Sequence, residues 1–143
     1  MHVKEKGFTL IEVLLVISIT CILAAVALPR VNTTFDVIDV ENAAKELVCD
    51  LRWIQQLSLN CGGTGFPRLV VSPSPPGYYI VVNSNTIKKV TFPRRVKISG
   101  SVPSTFTFGL AGFPSSPFSL SLQSGTESRS VIIDSVGRVR ISK

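Results

Sequence analysis

The sequence predicts an α+β fold: a long N-terminal helix, membrane-spanning in its first part, packed on a C-terminal antiparallel β-sheet or sandwich domain. Three observations carry this. Between Phe8 and Leu28 lies an apolar run of 21 residues in which Glu12 is the only charge. From Val40 to Ile54, apolar residues recur in steps of three and four, the period of one helix face. From Phe66 onward, short β-branched and aromatic runs alternate with Pro, Gly and Ser breaks, the pattern of short antiparallel strands. With 143 residues in all, one small domain fits behind the apolar run and its helical extension. The expected division is residues 1–7 as a leader peptide, 8–62 as helix (8–28 transmembrane, 29–62 amphipathic) and 63–143 as a β-rich globular domain.

As a helix at about 1.5 Å per residue, the apolar run measures about 31 Å, enough to cross a hydrocarbon core of about 30 Å. Lys4 and Lys6 precede it and Arg30 follows. This modest positive-inside bias puts the N-terminus in the cytoplasm. A carboxylate at a bilayer centre costs about 2.5–3.5 kcal/mol, so Glu12 needs a partner. The residues leave three readings open: a secretory signal cleaved at Ala25-Val26-Ala27, a plain signal anchor, or a leader cut after Gly7. A secretory h-region is about 7–15 residues long, shorter than this run, and neither of the first two readings gives Glu12 a role.

Lys6-Gly7-Phe8-Thr9-Leu10-Ile11-Glu12 resembles the class III leader of type IV pilins and pseudopilins. The resemblance implies that an inner-membrane prepilin peptidase cuts after Gly7, removes Met1 to Gly7 and N-methylates Phe8. It further implies that Glu12, then the fifth residue, pairs with the terminal amine of a neighbouring subunit during filament assembly. Such pairing removes the cost of an isolated charge in lipid. Pro29 matches a helix-kinking proline that many pilins carry, since proline deletes one helical hydrogen bond.

Beyond Pro29 the helix is expected to continue. A polar, β-branched patch at Asn32-Thr33-Thr34 suggests a restart capped by Asp36 or Asp39, with early acids and the later Arg52 suited to the helix dipole. The stripe Val40, Ala44, Leu47, Leu51, Ile54 would dock on the distal domain with Trp53 near the seam, and Gly62-Gly63 would end the helix. Eight strands are expected: 68–72, 78–82, 87–92, 96–99, 105–108, 118–122, 130–134 and 138–141. The Ser/Pro/Gly-rich segments 72–77 and 109–117 read as mobile loops. Cys21 lies in the apolar run. Cys49 and Cys61 on one straight helix would stand about 18 Å apart, too far to bridge unless the chain turns back, so free buried thiols are expected.

Charge is uneven along the chain. Residues 1–64 carry five Lys/Arg against seven acids, whereas residues 65–143 carry ten Lys/Arg against Glu127 and Asp134 alone. An acidic stalk thus precedes a basic module, whose field would attract a polyanion or an acidic partner. In Gly137-Arg138-Val139-Arg140-Ile141 the strand period puts Arg138 and Arg140 on one face, where two guanidinium forks could hold adjacent phosphates. Lys88, Lys89, Arg94, Arg95 and Lys97 form a second basic cluster in sequence.

Glu41-Asn42-Ala43-Ala44-Lys45-Glu46-Leu47 with Asp50-Leu51-Arg52, followed by a β domain closing on Asp134-Ser135-Val136-Gly137-Arg138, is similar to the GspH/FimT group of minor pilins and pseudopilins. That resemblance implies a non-catalytic subunit that joins or initiates a type II secretion pseudopilus or type IV pilus. Its helix would lie in the filament core, and its β domain outside, on the periplasmic or extracellular side of the inner membrane. The implied partners are prepilin peptidase, other pilin subunits and inner-membrane lipid. An alternative follows from FimT-like minor pilins that take up DNA: the Gly-Arg-x-Arg element resembles theirs, and implies DNA contacts by Arg138, Arg140 and Lys143 with Arg94 and Arg95.

No catalytic set emerges. The only histidine, His2, falls in the leader. Once the leader is gone no imidazole is left for a general base or metal site, and no phosphate loop or zinc spacing is present. The chain reads as a non-enzyme with no cofactor and no metal.

Overall fold

The computed structural model describes residues 7–62, 65–100 and 104–143, with backbone alone for residues 27–32. Expectations placed on residues 1–6 and on Gly63 lie outside the described residues, and so does the side chain of Pro29. Two compact units make up the chain, one ending at Phe35 and the other running Asp36–Lys143. Helix α1 (Leu10–Asn60) contributes to both.

In the first unit, α1 starts where Thr9 supplies an N-cap. The Glu12 amide lies 3.1 Å from the Thr9 carbonyl and 3.4 Å from its Oγ1. The spacing Thr9-x-x-Glu12 is that of a capping box, and it puts an acid in the first turn, where the helix dipole favours one. The hydroxyls within the apolar run bond back to the helix: Ser18 Oγ donates to the Leu14 carbonyl (2.8 Å) and Thr20 Oγ1 to those of Val16 and Ile17 (3.0 and 2.8 Å). With these hydroxyls satisfied internally, the segment apart from Glu12 presents mostly apolar side chains, Leu10, Ile11, Leu15 and Leu23 being more than half exposed. Such a helix needs lipid or other protein around it. Among the described residues no helix is long and apolar enough to cross a membrane; the described side chains stop at Val26, short of the end of the run at Leu28.

In the second unit, every residue of the expected stripe (Val40, Ala44, Leu47, Leu51, Ile54) is fully buried, joined by Ala43 and Val48. Trp53 stands off the stripe and is 38% exposed. The expected restart is corrected: α1 runs through Asn32-Thr33-Thr34 unbroken, so neither Asp36 nor Asp39 is an N-cap. A short patch of weak helix formers costs only tenths of a kcal/mol per residue, which tertiary context overrides. Asp36 instead accepts from Ser124 Oγ at 2.9 Å and from Arg95 at 3.5 Å. The helix ends at Asn60, and Gly62 beyond it adopts the left-handed conformation usual after a helix (φ 58°).

Each expected strand is present, with ends shifted by up to three residues: β1 (Arg68–Pro73), β2 (Pro76–Val82), β3 (Asn85–Thr91), β4 (Lys97–Ser99), β5 (Thr105–Thr107), β6 (Phe118–Ser124), β7 (Glu127–Ile133) and β8 (Val139–Ser142). They form two four-stranded antiparallel sheets, ordered β3-β2-β1-β5 and β4-β6-β7-β8. Segment 72–77 is no loop, because β1 and β2 pair up to Pro73 and Pro76 and leave a tight turn between them. Asn83 and Ser84, both left-handed (φ 49° and 68°), make the β2–β3 turn, the geometry that matches strand twist.

The inner faces of both sheets and the helix stripe share one core. Leu69, Tyr78, Ile80 and Phe106 come from the first sheet, and Phe118, Leu120, Leu122, Val131 and Ile133 from the second. Phe106 on β5 stacks on Phe118 of β6 with ring centroids 4.8 Å apart, joining the two sheets.

Candidate assembly site and basic surface

Gly7, Phe8 and Thr9 precede α1 without regular structure, and a Cβ added at Gly7 would meet nothing within 4 Å among the described residues. Phe8 is 83% exposed and shares a shallow groove with Glu12, Val13, Val16 and Ile17. The capping geometry of Thr9 sets the first turn, so Glu12 and the backbone of Phe8 sit together at the helix N-terminus. Thr9 is the residue that motif reading passes over, although the spacing Thr9-x-x-Glu12 already carries its signal.

Polar contacts fasten the helix to the sheets in the second unit. Asp50, on the buried side of α1, accepts from the Tyr78 hydroxyl at 2.7 Å and from Lys88 Nζ at 2.8 Å. Glu46 lies 3.6 Å from the same ammonium. Burial, then the bond to Asp50, pushes the Tyr78 phenol far above its ordinary range. The hydrogen bond to Asp50 raises Lys88. Near the helix C-terminus, Gln55 Nε2 donates to the carbonyls of Gly112 (2.9 Å) and Gly137 (3.5 Å), tying two loops to α1. Segment 109–117 is further closed by the Gly109 amide on the Phe113 carbonyl at 2.8 Å.

The basic residues are distributed over several surfaces. Arg138 lies in the turn before β8, not on the strand with Arg140. Asp134 organises that turn: Oδ1 accepts from the amides of Arg138 (3.0 Å) and Val136 (3.2 Å), and Oδ2 from Arg138 Nε (3.1 Å). The Arg138 backbone bond leads in holding the Asp134 carboxyl below its usual range. Arg140 on β8 pairs with Ile132 of β7 and is exposed, as is Lys143. Lys97 is on β4, the opposite edge of the same sheet. Lys88 turns inward to Asp50, Lys89 lies 5.4 Å over the Tyr79 ring, Arg95 reaches Asp36 and Arg94 is exposed.

The cysteines are free, but not buried as expected: Cys21 and Cys49 are exposed, and Cys61 is half-buried with its thiol on the Leu57 carbonyl. Cys49 lies on α1 and Cys61 directly follows it, so no turn of chain brings them together. Among the described residues no three of His, Cys, Asp and Glu gather into a metal-binding group.

Residues 3–28 match the prokaryotic N-terminal methylation motif. A comparison with curated protein sequences gave no match. The fold is similar to that of the minor pseudopilin EpsH from the Type 2 Secretion System of Vibrio cholerae, with a TM-score of 0.59 and 12% identity over 73% of this chain and 96% of that one. Identity this low speaks for the fold, and the motif speaks for the N-terminus. The chain thus carries a prokaryotic N-terminal methylation motif at the head of α1 and, behind it, a fold similar to that of a minor pseudopilin.

Proposed function

We propose that this chain is a minor pseudopilin of a type II secretion pseudopilus, or the equivalent minor pilin of a type IV pilus, acting as a non-catalytic assembly subunit. The methylation motif over residues 3–28, running into a capped apolar helix, is the observation that carries it. In this reading Phe8–Leu28 anchors the chain in the inner membrane with its N-terminus cytoplasmic. Prepilin peptidase removes residues 1–7 and methylates Phe8. Glu12 meets the Phe8 amine of a neighbouring subunit, which neutralises both charges in a low-dielectric filament core. Pro29 loosens the helix between its apolar and amphipathic parts. Mass spectrometry of the protein from membranes is the direct test: the expected species begins at a methylated Phe8, and an intact N-terminus or a cut near Ala27 overturns the reading. Loss of filament incorporation in Glu12→Ala checks the role of that acid.

A second reading, DNA capture, is favoured by one observation. Arg140 and Lys143 stand exposed at the C-terminus, and Arg138, bonded to Asp134 through Nε, keeps a side chain 76% exposed. Arg94 and Arg95 belong to this reading from elsewhere on the same unit. It predicts salt-sensitive DNA retardation that Arg138→Ala with Arg140→Ala abolishes. Equal retardation by the double variant removes it.

A further inference from the structure

The first sheet borders an open cleft of about 740 Å3, a size typical of ligand sites at about 300–1,000 Å3. Phe66, Phe108 and Phe113 give it apolar walls, and Asn83 and Thr107 line it with neutral polar groups. Among the described residues, Arg68 on β1 is the only ionisable side chain in the lining. Among the described residues it has no hydrogen-bond or ion-pair partner, whereas Lys88, Arg95, Arg129 and Arg138 each face a carboxylate.

The walls are held in place. Thr107 Oγ1 donates to Ser115 Oγ at 3.1 Å, and the Asn83 side chain lies so close to Gly65 that any Cβ there would collide with it. Phe113, 53% exposed, lines the same cleft as Arg68. A guanidinium is a planar fork matched to a carboxylate. A nucleic-acid strand needs successive cations along its phosphates, and this cleft offers one. Arg68, exposed and without a carboxylate partner among the described residues in a lining it shares with Phe66 and Phe113, instead fits one carboxylate next to an apolar group.

We propose that this cleft binds a short acidic peptide segment of a partner protein, its carboxylate on Arg68 and a neighbouring apolar side chain against Phe66 and Phe113. The cleft lies wholly within Asp36–Lys143 and needs no filament, so its failure and that of the assembly reading are distinguishable. The test is fluorescence anisotropy with the full chain in detergent micelles and a labelled acetyl-Gly-Phe-Glu-Phe-Gly-amide peptide, compared with its glutamine counterpart. The glutamate peptide should bind saturably, and the glutamine peptide about tenfold or more weakly, the scale of one charge-assisted hydrogen bond. Arg68→Gln should lose the same factor with an unchanged circular dichroism spectrum, and Phe113→Ala should weaken both peptides. Equal affinity for the two peptides by the wild-type chain overturns the proposal without reference to any variant. So does the absence of saturable binding, or capture of an oligothymidylate in place of the peptide.

Discussion

The hydroxyl of Tyr78 on β2 donates a 2.7 Å hydrogen bond to Asp50 Oδ2 on α1, joining residues 28 positions apart inside the core. Tyr78 is fully buried and Asp50 is 6% exposed, so the pair works away from water. Lys88 completes it from β3 at 2.7 Å from the same oxygen. The acidic stalk and the basic module seen in the sequence meet here, as they do at Asp36 and Arg95. The charge asymmetry first read as a field for polyanions is used in part within the fold.

Replacing Tyr78 with Phe keeps the ring and removes one donor to a buried carboxylate. The loss should be about 1.5–3 kcal/mol, the range for hydrogen bonds to charged groups. Urea unfolding of the full chain in detergent, followed by tryptophan fluorescence of Trp53, measures it. A midpoint unmoved by Tyr78→Phe would mean that the bond contributes nothing net.

Stability should fall at alkaline pH. Both Lys88 and Tyr78 have folded values raised above their ordinary 10.5 and 10.0. A raised group contributes stability that is complete below its unfolded pKa and is lost as pH rises through the folded one. The melting temperature should therefore hold from neutral pH to about 10 and drop above it. Lys88→Met should make that drop shallower, by removing one of the two groups.

Gln55→Ala should free two loops at once while leaving the core closed. The cost is about 1 kcal/mol for the donor to the Gly112 and Gly137 carbonyls. Limited proteolysis and hydrogen exchange should report it as faster cleavage and exchange in segments 109–115 and 134–138. Protection unchanged there would assign the order of these loops to their own backbone bonds.

Gly125 turns β6 into β7 with φ 56°, and an added Cβ would lie 2.5 Å from Asp36 Oδ2. Gly62 has nearly the same φ, 58°, with nothing within 4 Å among the described residues. Gly62→Ala should thus show the left-handed backbone cost of about 1–2 kcal/mol alone. Gly125→Ala should lose more, because Asp36 must give up its place against Ser124. Equal losses by thermal melting would show that Asp36 moves freely.

Much of this architecture is legible in local sequence. The period of Val40, Ala44, Leu47, Leu51 and Ile54 names the buried face because helix geometry alone sets which residues share a side. The eight β-rich runs mark eight strands because turn residues must interrupt them. Other features depend on the rest of the chain. Asp36 looks like a helix cap, since a carboxylate before an apolar stripe often is one. Its real donors, Ser124 and Arg95, lie far along the sequence and meet it only in the folded domain. Arg138 and Arg140 alternate like strand neighbours, yet Asp134 draws Arg138 into a turn.

By itself the sequence determined what the parts of the chain are: a methylation motif, an apolar helix with one acid, an amphipathic stripe and a strand-rich domain. These are encoded by spacing between near neighbours, which short-range geometry obeys whatever surrounds it. The tertiary structure decided which charges are satisfied and which remain available. It paired Lys88 with Asp50 and Arg95 with Asp36, and left Arg68 without a carboxylate partner among the described residues, because the partner of a charge is often set by contacts between distant segments.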